Sequence, residues 1–122
     1  MYYFIVNPSS SSGKGMKIWK TVEKQLRTEH VPYHVFFTSR RTQGSELAKL
    51  ISSRHAPCTI VAVGGDGTAN EVINGLTNFD KIRFGYIPSG SGNDLAAGLG
   101  LKTSPLAALH AILHPKCIRP IT

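Results

Sequence analysis

The sequence predicts a doubly wound α/β domain, a mostly parallel sheet with helices on both faces. Three observations predict it. Four short runs rich in aromatic and β-branched residues recur along the chain. Amphipathic stretches of helical period fill the gaps between them. Glycine and small polar residues gather directly after the first, third and fourth runs. Hydrophobicity within each run is near-continuous rather than alternating, as in strands covered on both faces.

The first strand is expected at Tyr2–Val6, closed by Asn7-Pro8. A low-complexity stretch, Ser9–Ser12 with Gly13, then reads as a flexible turn into the first helix. That helix carries Trp19, Val22 and Leu26 at i, i+3, i+7, which makes Trp19 a core residue. Tyr33–Phe37 forms the second strand, and Leu47, Leu50 and Ile51 give the second helix its apolar stripe. A third strand at Thr59–Val63 runs into Gly64-Gly65-Asp66-Gly67-Thr68 and a helix with Ala69, Val72, Ile73 and Leu76 on its stripe. The fourth strand, Arg83–Ile87, ends at Pro88, and Leu106, Leu109 and Leu113 mark the last helix. Residues 1–115 thus alternate β-α-β-α-β-α-β-α as one α/β domain. Residues 116–122 read as the start of a connector.

At 122 residues, one real core is available without disulfides or a structural metal. Hydrophobic residues at 41% and charged residues at 17% exclude a disordered chain and a coiled coil. A net charge of +7 suits a polyanion, a phosphorylated ligand or an anionic membrane surface without choosing among them. Cys58 and Cys117 stand far apart with no CxxC, against a disulfide framework or zinc site, and a reducing cytosol is the expected compartment. No signal peptide is read at the N-terminus, and no apolar run approaches the ~20 residues that span a bilayer. The expectation is a soluble cytoplasmic protein with peripheral contact at the inner membrane face.

Doubly wound sheets bind ligands beyond the carboxyl ends of their strands. Three glycine- and serine-rich loops on that edge would surround one crevice with backbone N–H groups and helix N-termini, an environment that suits phosphate. Glycine also serves simply to turn the chain at strand ends, so the serine-rich loop alone decides nothing. Ser12-Gly13-Lys14 resembles the end of a P-loop, yet Pro8 and Gly15 break GxxxxGK[ST]; Asn70 breaks the dinucleotide fingerprint after Gly65-x-Gly67. The strongest signal is Gly64-Gly65-Asp66-Gly67-Thr68. Paired glycines admit close backbone approach to a phosphate. Asp66 would repel that phosphate unless a cation or proton lay between them, and Thr68 is positioned to cap the next helix. The simpler alternative is a turn with Asp66 as a solvated cap, and the passage from a buried strand into an amphipathic helix argues against it.

The stretch from Gly64 to Leu76, read GGDGTANEVINGL, resembles the nucleotide-binding signature of the diacylglycerol kinase catalytic domain. That superfamily includes bacterial lipid kinases, sphingosine kinases and ceramide kinases. Asn7-Pro8 with Ser12-Gly13-Lys14 resembles its first loop, and Pro88-x-Gly90-Ser91-x-Asn93-Asp94 its PxGTxND segment, in the same order. The resemblance implies two domains with ATP held between an N-terminal α/β half and a C-terminal β-sandwich. It implies that Asn7, Ser12, Gly13, Thr38, Gly65, Asp66, Gly67, Thr68, Ala69, Asn70, Glu71 and Ser91 line the ATP site. Asp66 would orient magnesium (Mg²⁺) and phosphate, directly or through water, with Asp94 as a supporting catalytic group and Asn93 bracing its loop. Two departures stand out: the first loop is about two residues longer than the family's, and Ser91 replaces the usual Thr, keeping the hydroxyl without its methyl. The family's general base lies in an acidic motif of the C-terminal domain, and nothing here resembles it. The resemblance therefore implies the ATP-binding half of a kinase, inactive by itself, whose C-terminal β-rich domain is missing from this chain.

The function that follows is transfer of the ATP γ-phosphoryl group to a lipid hydroxyl, that of diacylglycerol first, giving phosphatidic acid. An NAD kinase shares the Gly-Gly-Asp-Gly-Thr loop, although Asn70-Glu71 and the Pro88–Asp94 segment fit lipid kinases better. A non-catalytic nucleotide-binding module is the remaining alternative, and no nucleic-acid-binding signature is present. Lys17, Lys20, Lys24 and Arg27 form a basic stripe that suits a solvated helix face or membrane docking. Arg40-Arg41 is a candidate to neutralise phosphate or headgroup charge. Of five histidines only His110 and His114 share a ligand spacing, i, i+4, and surface positions explain all five.

Overall fold

Strands form where the aromatic and β-branched runs lie: β1 (Tyr2–Val6), β2 (Tyr33–Phe37), β3 (Cys58–Gly64) and β4 (Ile82–Pro88). The computed structural model describes residues 1–40, 42–89 and 105–114. The strands pair in parallel in the order β2-β1-β3-β4. Helices α1 (Ser10–Thr28), α2 (Gln43–Arg54) and α3 (Asp66–Gly75) connect them, and α4 (Pro105–Leu113) follows β4; a 3₁₀ turn at Phe79–Lys81 leads into that strand. Among the described residues no helix is long and apolar enough to cross a membrane.

Alternate side chains of each strand point to opposite faces, which divides the apolar residues into two cores. Phe4, Val6, Val61, Val63 and Ile87 pack with Trp19, Val22 and Leu26 of α1 and Leu109 of α4. Tyr3, Ile5, Ile60, Ala62 and Tyr86 pack with Ala48 and Ile51 of α2 and Ala69, Val72 and Leu76 of α3. Trp19 sits deep in the first core, its ring centroid 5.2 Å from Phe4 and 5.7 Å from Tyr33. His34 and His55, both exposed, stack on opposite sides of Tyr3 in the second.

Three residues of the expected stripes are turned outward: Leu50 is 45% exposed, Ile73 41% and Leu106 42%. In α2 the inward positions belong instead to Gly44, Ala48, Ile51 and Ser52. Small residues are needed there because α2 and α3 meet at backbone distance. A Cβ on Gly75 would strike the Ser45 carbonyl, and one on Gly44 would press on Glu71. Buried Ser52 bonds the Ala48 carbonyl at 2.6 Å and lies 3.0 Å from Thr77 Oγ1, so it adds no unpaired polar group. Gly75→Ala is expected to cost about 1–3 kcal/mol by overpacking, read as a lower urea midpoint of the intact protein with its slope unchanged.

The serine-rich turn has left-handed backbone geometry. Ser11, Ser12 and Gly13 all have positive φ (52°, 59° and 91°), so regular α-helix begins only beyond them. Cys58 is buried, which pushes its thiol pKa up and leaves it a packing residue.

Candidate functional site

Parallel pairing puts every strand's carboxyl end on one edge. The register Val6↔Val63 and Gly64↔Pro88 sets Asn7, Gly65 and Ser89 in neighbouring loops. The chain goes from β1 outward to β2 on one side, while β3 and β4 lie on the other, so the topological switch point falls between β1 and β3. Open α/β sheets bind ligands at that point.

Asn7 ties the two sides together. Its N–H donates to the Val63 carbonyl (2.9 Å) and its Nδ2 to Thr68 Oγ1 (3.4 Å), while its Oδ1 accepts from Ser9 N (3.2 Å) and Ser9 Oγ (3.1 Å). Gly65 occupies the N-cap of α3 with extended backbone, and Asp66 is the first helical residue. Thr68 therefore does not cap α3; it is buried in the first turn, where its side chain fills the space that Gly64 lacks a Cβ to occupy. Asp66 is half-buried, and Tyr86 Oη lies 3.4 Å from its Oδ1 and 3.3 Å from the Gly64 carbonyl.

Gly65 and Gly67 differ from the molecule's packing glycines. A Cβ at either would meet nothing within 4 Å among the described residues, and neither has positive φ. Among the described residues nothing requires glycine there. The open space lies at the N-terminus of α3, and the first N–H groups of a helix together with its dipole favour an anion. Asp66 is the carboxylate beside it, and Mg²⁺ is commonly held by one or two carboxylates together with water and phosphate oxygens. The residues present thus fit a magnesium-bound phosphate chain.

The remaining expected site residues divide. Ser12 and Gly13 are exposed in the left-handed turn. Thr38 ends β2 with its N–H on the Val6 carbonyl (2.8 Å) and its hydroxyl toward the same oxygen (3.4 Å). Ala69 is fully buried in the second core, so only its backbone, bonded to the Gly65 carbonyl, belongs to the loop. Asn70 is exposed on α3, whereas Glu71 turns to α2 and accepts from Gly44 N at 3.3 Å. Arg40 is engaged with Glu46 of α2 at 3.0 and 3.2 Å, and that guanidinium holds the Glu46 carboxyl below its usual range. Arg41, Ser91, Asn93, Asp94 and the expected connector 116–122 lie outside the described residues.

Sequence reasoning missed Tyr86 and the serine contacts of Ser89, although a tyrosine and a hydroxyl flanking Pro88 were visible signals. Ser89 Oγ lies 2.9 Å from Ser10 Oγ and 3.0 Å from Ser11 Oγ. At the end of α4, His110 and His114 have ring centroids 4.8 Å apart, and His114 Nε2 is 3.4 Å from Glu29 Oε1. Among the described residues, no group of three or more His, Cys, Asp and Glu is placed to hold a metal ion.

The profile of the diacylglycerol kinase catalytic domain matches residues 1–121. The chain belongs to that family. Among relatives of this diacylglycerol kinase family member, YtlR of Bacillus subtilis (strain 168), whose name places it with the lipid kinases, is 33% identical over 103 residues. That match covers 83% of this chain and 33% of YtlR. Sphingoid long-chain bases kinase 1 of Arabidopsis thaliana is 32% identical over 116 residues, covering 88% of this chain and 15% of its own length. A solved diacylglycerol kinase structure from Bacillus anthracis str. Sterne superposes with a TM-score of 0.74 at 25% identity, over 91% of this chain and 40% of that one. The chain thus spans a third or less of these two curated relatives. The doubly wound fold of the family member and the lipid-kinase resemblance both hold.

Proposed function

We propose that this domain is the ATP-binding half of a kinase that moves the γ-phosphoryl group of ATP to a lipid hydroxyl, with diacylglycerol as acceptor and phosphatidic acid as product. One observation carries the reading: Gly65 and Gly67 leave open, beside the Asp66 carboxylate, a space that packing among the described residues does not explain.

Phosphoryl transfer asks a protein chiefly for positioning and charge neutralisation. The Gly65–Gly67 backbone would approach the phosphates, with the first turn of α3 supplying N–H donors. Asp66 would hold Mg²⁺, directly or through water, and the ion when bound offsets phosphate charge. Tyr86 would keep the Asp66 carboxylate oriented, and Asn7 would fix the first loop against Thr68. The acceptor's proton leaves to a base supplied from outside this chain, by a C-terminal β-rich domain that also holds the acyl chains.

The test offers radiolabelled ATP, diacylglycerol and NAD to the intact protein. Label in phosphatidic acid supports the proposal. Label in NAD, or in neither acceptor, overturns it.

The cationic face of α1 supports peripheral contact with the anionic inner face of the cytoplasmic membrane. Lys17, Lys20 and Lys24 are exposed, while Glu23 on the same helix is drawn to Arg27 (3.6 Å) and to the Tyr33 hydroxyl (2.6 Å). Lys17→Glu, Lys20→Glu and Lys24→Glu together are expected to weaken binding to phosphatidylglycerol-containing vesicles at least about tenfold. Activity on detergent-dispersed lipid should stay unchanged. Equal sedimentation with vesicles would exclude this face.

A further inference from the structure

We infer that Ser89, acting with Ser10 and Ser11, latches the serine-rich loop across the carboxyl end of the sheet and so positions Ser12 and Gly13 for nucleotide binding. The inference rests on the ATP reading above. Ser89 is a positioning residue in it.

The argument begins with distance. β1 and β4 are not neighbours; β3 lies between them, so a loop leaving β1 must cross two strand spacings, about 9–10 Å, to reach the end of β4. The first loop makes that crossing. Ser10 and Ser11 bring their hydroxyls to 2.9 and 3.0 Å from Ser89 Oγ, and Ser10 Oγ is also 2.8 Å from the Asn7 carbonyl. Ser89 is a firm anchor, only 3% exposed, with its N–H on the Gly64 carbonyl at 2.9 Å. The loop thus passes over the end of β3, where the Gly65–Asp66 turn begins.

Backbone geometry gives the latch its purpose. Ser11 and Ser12 both adopt left-handed backbone (φ 52°, ψ 48° and φ 59°, ψ 41°), which non-glycine residues hold only when their surroundings over-determine it. The described contacts that pull this turn toward β4 are the two to Ser89 Oγ. Without them the turn is free to relax, and Ser12 and Gly13 move with it.

The test is Ser89→Ala in the intact protein. A loop that grips the phosphates equally in ground and transition state changes KM rather than kcat. Loss of two neutral hydrogen bonds predicts a rise of about tenfold in KM for ATP and an equal loss of affinity for a non-hydrolysable ATP analogue. Turnover at saturating ATP should stay within about twofold. The double variant Ser10→Ala/Ser11→Ala, which also removes the Ser10–Asn7 bond, should raise KM at least as much even if Ser89→Ala folds poorly. Adding Ser89→Ala to the double variant should add nothing further. An unchanged KM in the double variant, or additive losses, would overturn the latch. Gly65→Val separates the two ideas: if it too leaves analogue binding intact, the ATP reading has failed. If Gly65→Val abolishes binding while the serine variants do not move it, only the latch has failed.

Discussion

Gly65→Val in the intact protein is expected to remove lipid phosphorylation, by at least about 100-fold in kcat/KM, while the domain stays folded. The two halves of that expectation have separate causes. The fold survives because the space around the missing Cβ is open and the backbone there is extended, a conformation valine adopts readily. Exchanging glycine for valine at the N-cap of α3 costs about 1 kcal/mol, since valine is a poor N-cap residue. Activity fails because the isopropyl group would stand where the phosphate chain must approach the α3 amides. Lipid kinase assays and thermal unfolding of the same preparation check both halves. Wild-type activity would mean that the nucleotide lies elsewhere; a collapsed unfolding transition would mean that the glycine serves packing after all.

Asp66→Asn tests the charge where the first variant tests the space. The amide keeps the shape of the carboxylate and leaves an oxygen for the Tyr86 hydroxyl, so the local contacts persist. Losing a negative charge from the first turn of α3 costs only about 0.5 kcal/mol. Transfer should nevertheless fall by about 10²–10³ in kcat, the range typical of removing one preorganised electrostatic group. The magnesium concentration needed for half-maximal rate should rise as well. A variant with normal kcat and an unmoved magnesium dependence would exclude Asp66 from cation binding.

Much of this architecture was legible because strands buried on both faces announce themselves as apolar runs. Each strand lies within a residue of its expected bounds, and β1 and β3 run into the serine-rich and glycine-rich turns as read. Helix faces were less legible. Leu50 and Ile73 fit the helical period as well as their neighbours, yet α2 and α3 approach so closely that Gly44, Ala48 and Gly75 take the contact. Periodicity counts large apolar residues and cannot weigh a contact made by small ones. At the site, Asn7 reaches Thr68 of the glycine-rich turn that holds Gly65 and Asp66. Glu71 belongs to the same motif, but its carboxylate holds the Gly44 amide, a partner far away in sequence. Tyr86 looked like one more strand residue, because nothing in a strand pattern tells which hydroxyl will reach a neighbouring turn.

The seven buried residues of β3 all pair with β4, and five of them, Thr59–Val63, also pair with β1. During synthesis, β1 and β2 can at most form a two-stranded ribbon, which is marginal in water. Closing the long loop back to Tyr2–Val6 becomes feasible only once Cys58–Gly64 has left the ribosome, so commitment of the nascent chain waits for this segment. The same seven amides should be among the slowest to exchange with deuterated solvent, and exchange there should report global opening rather than fraying.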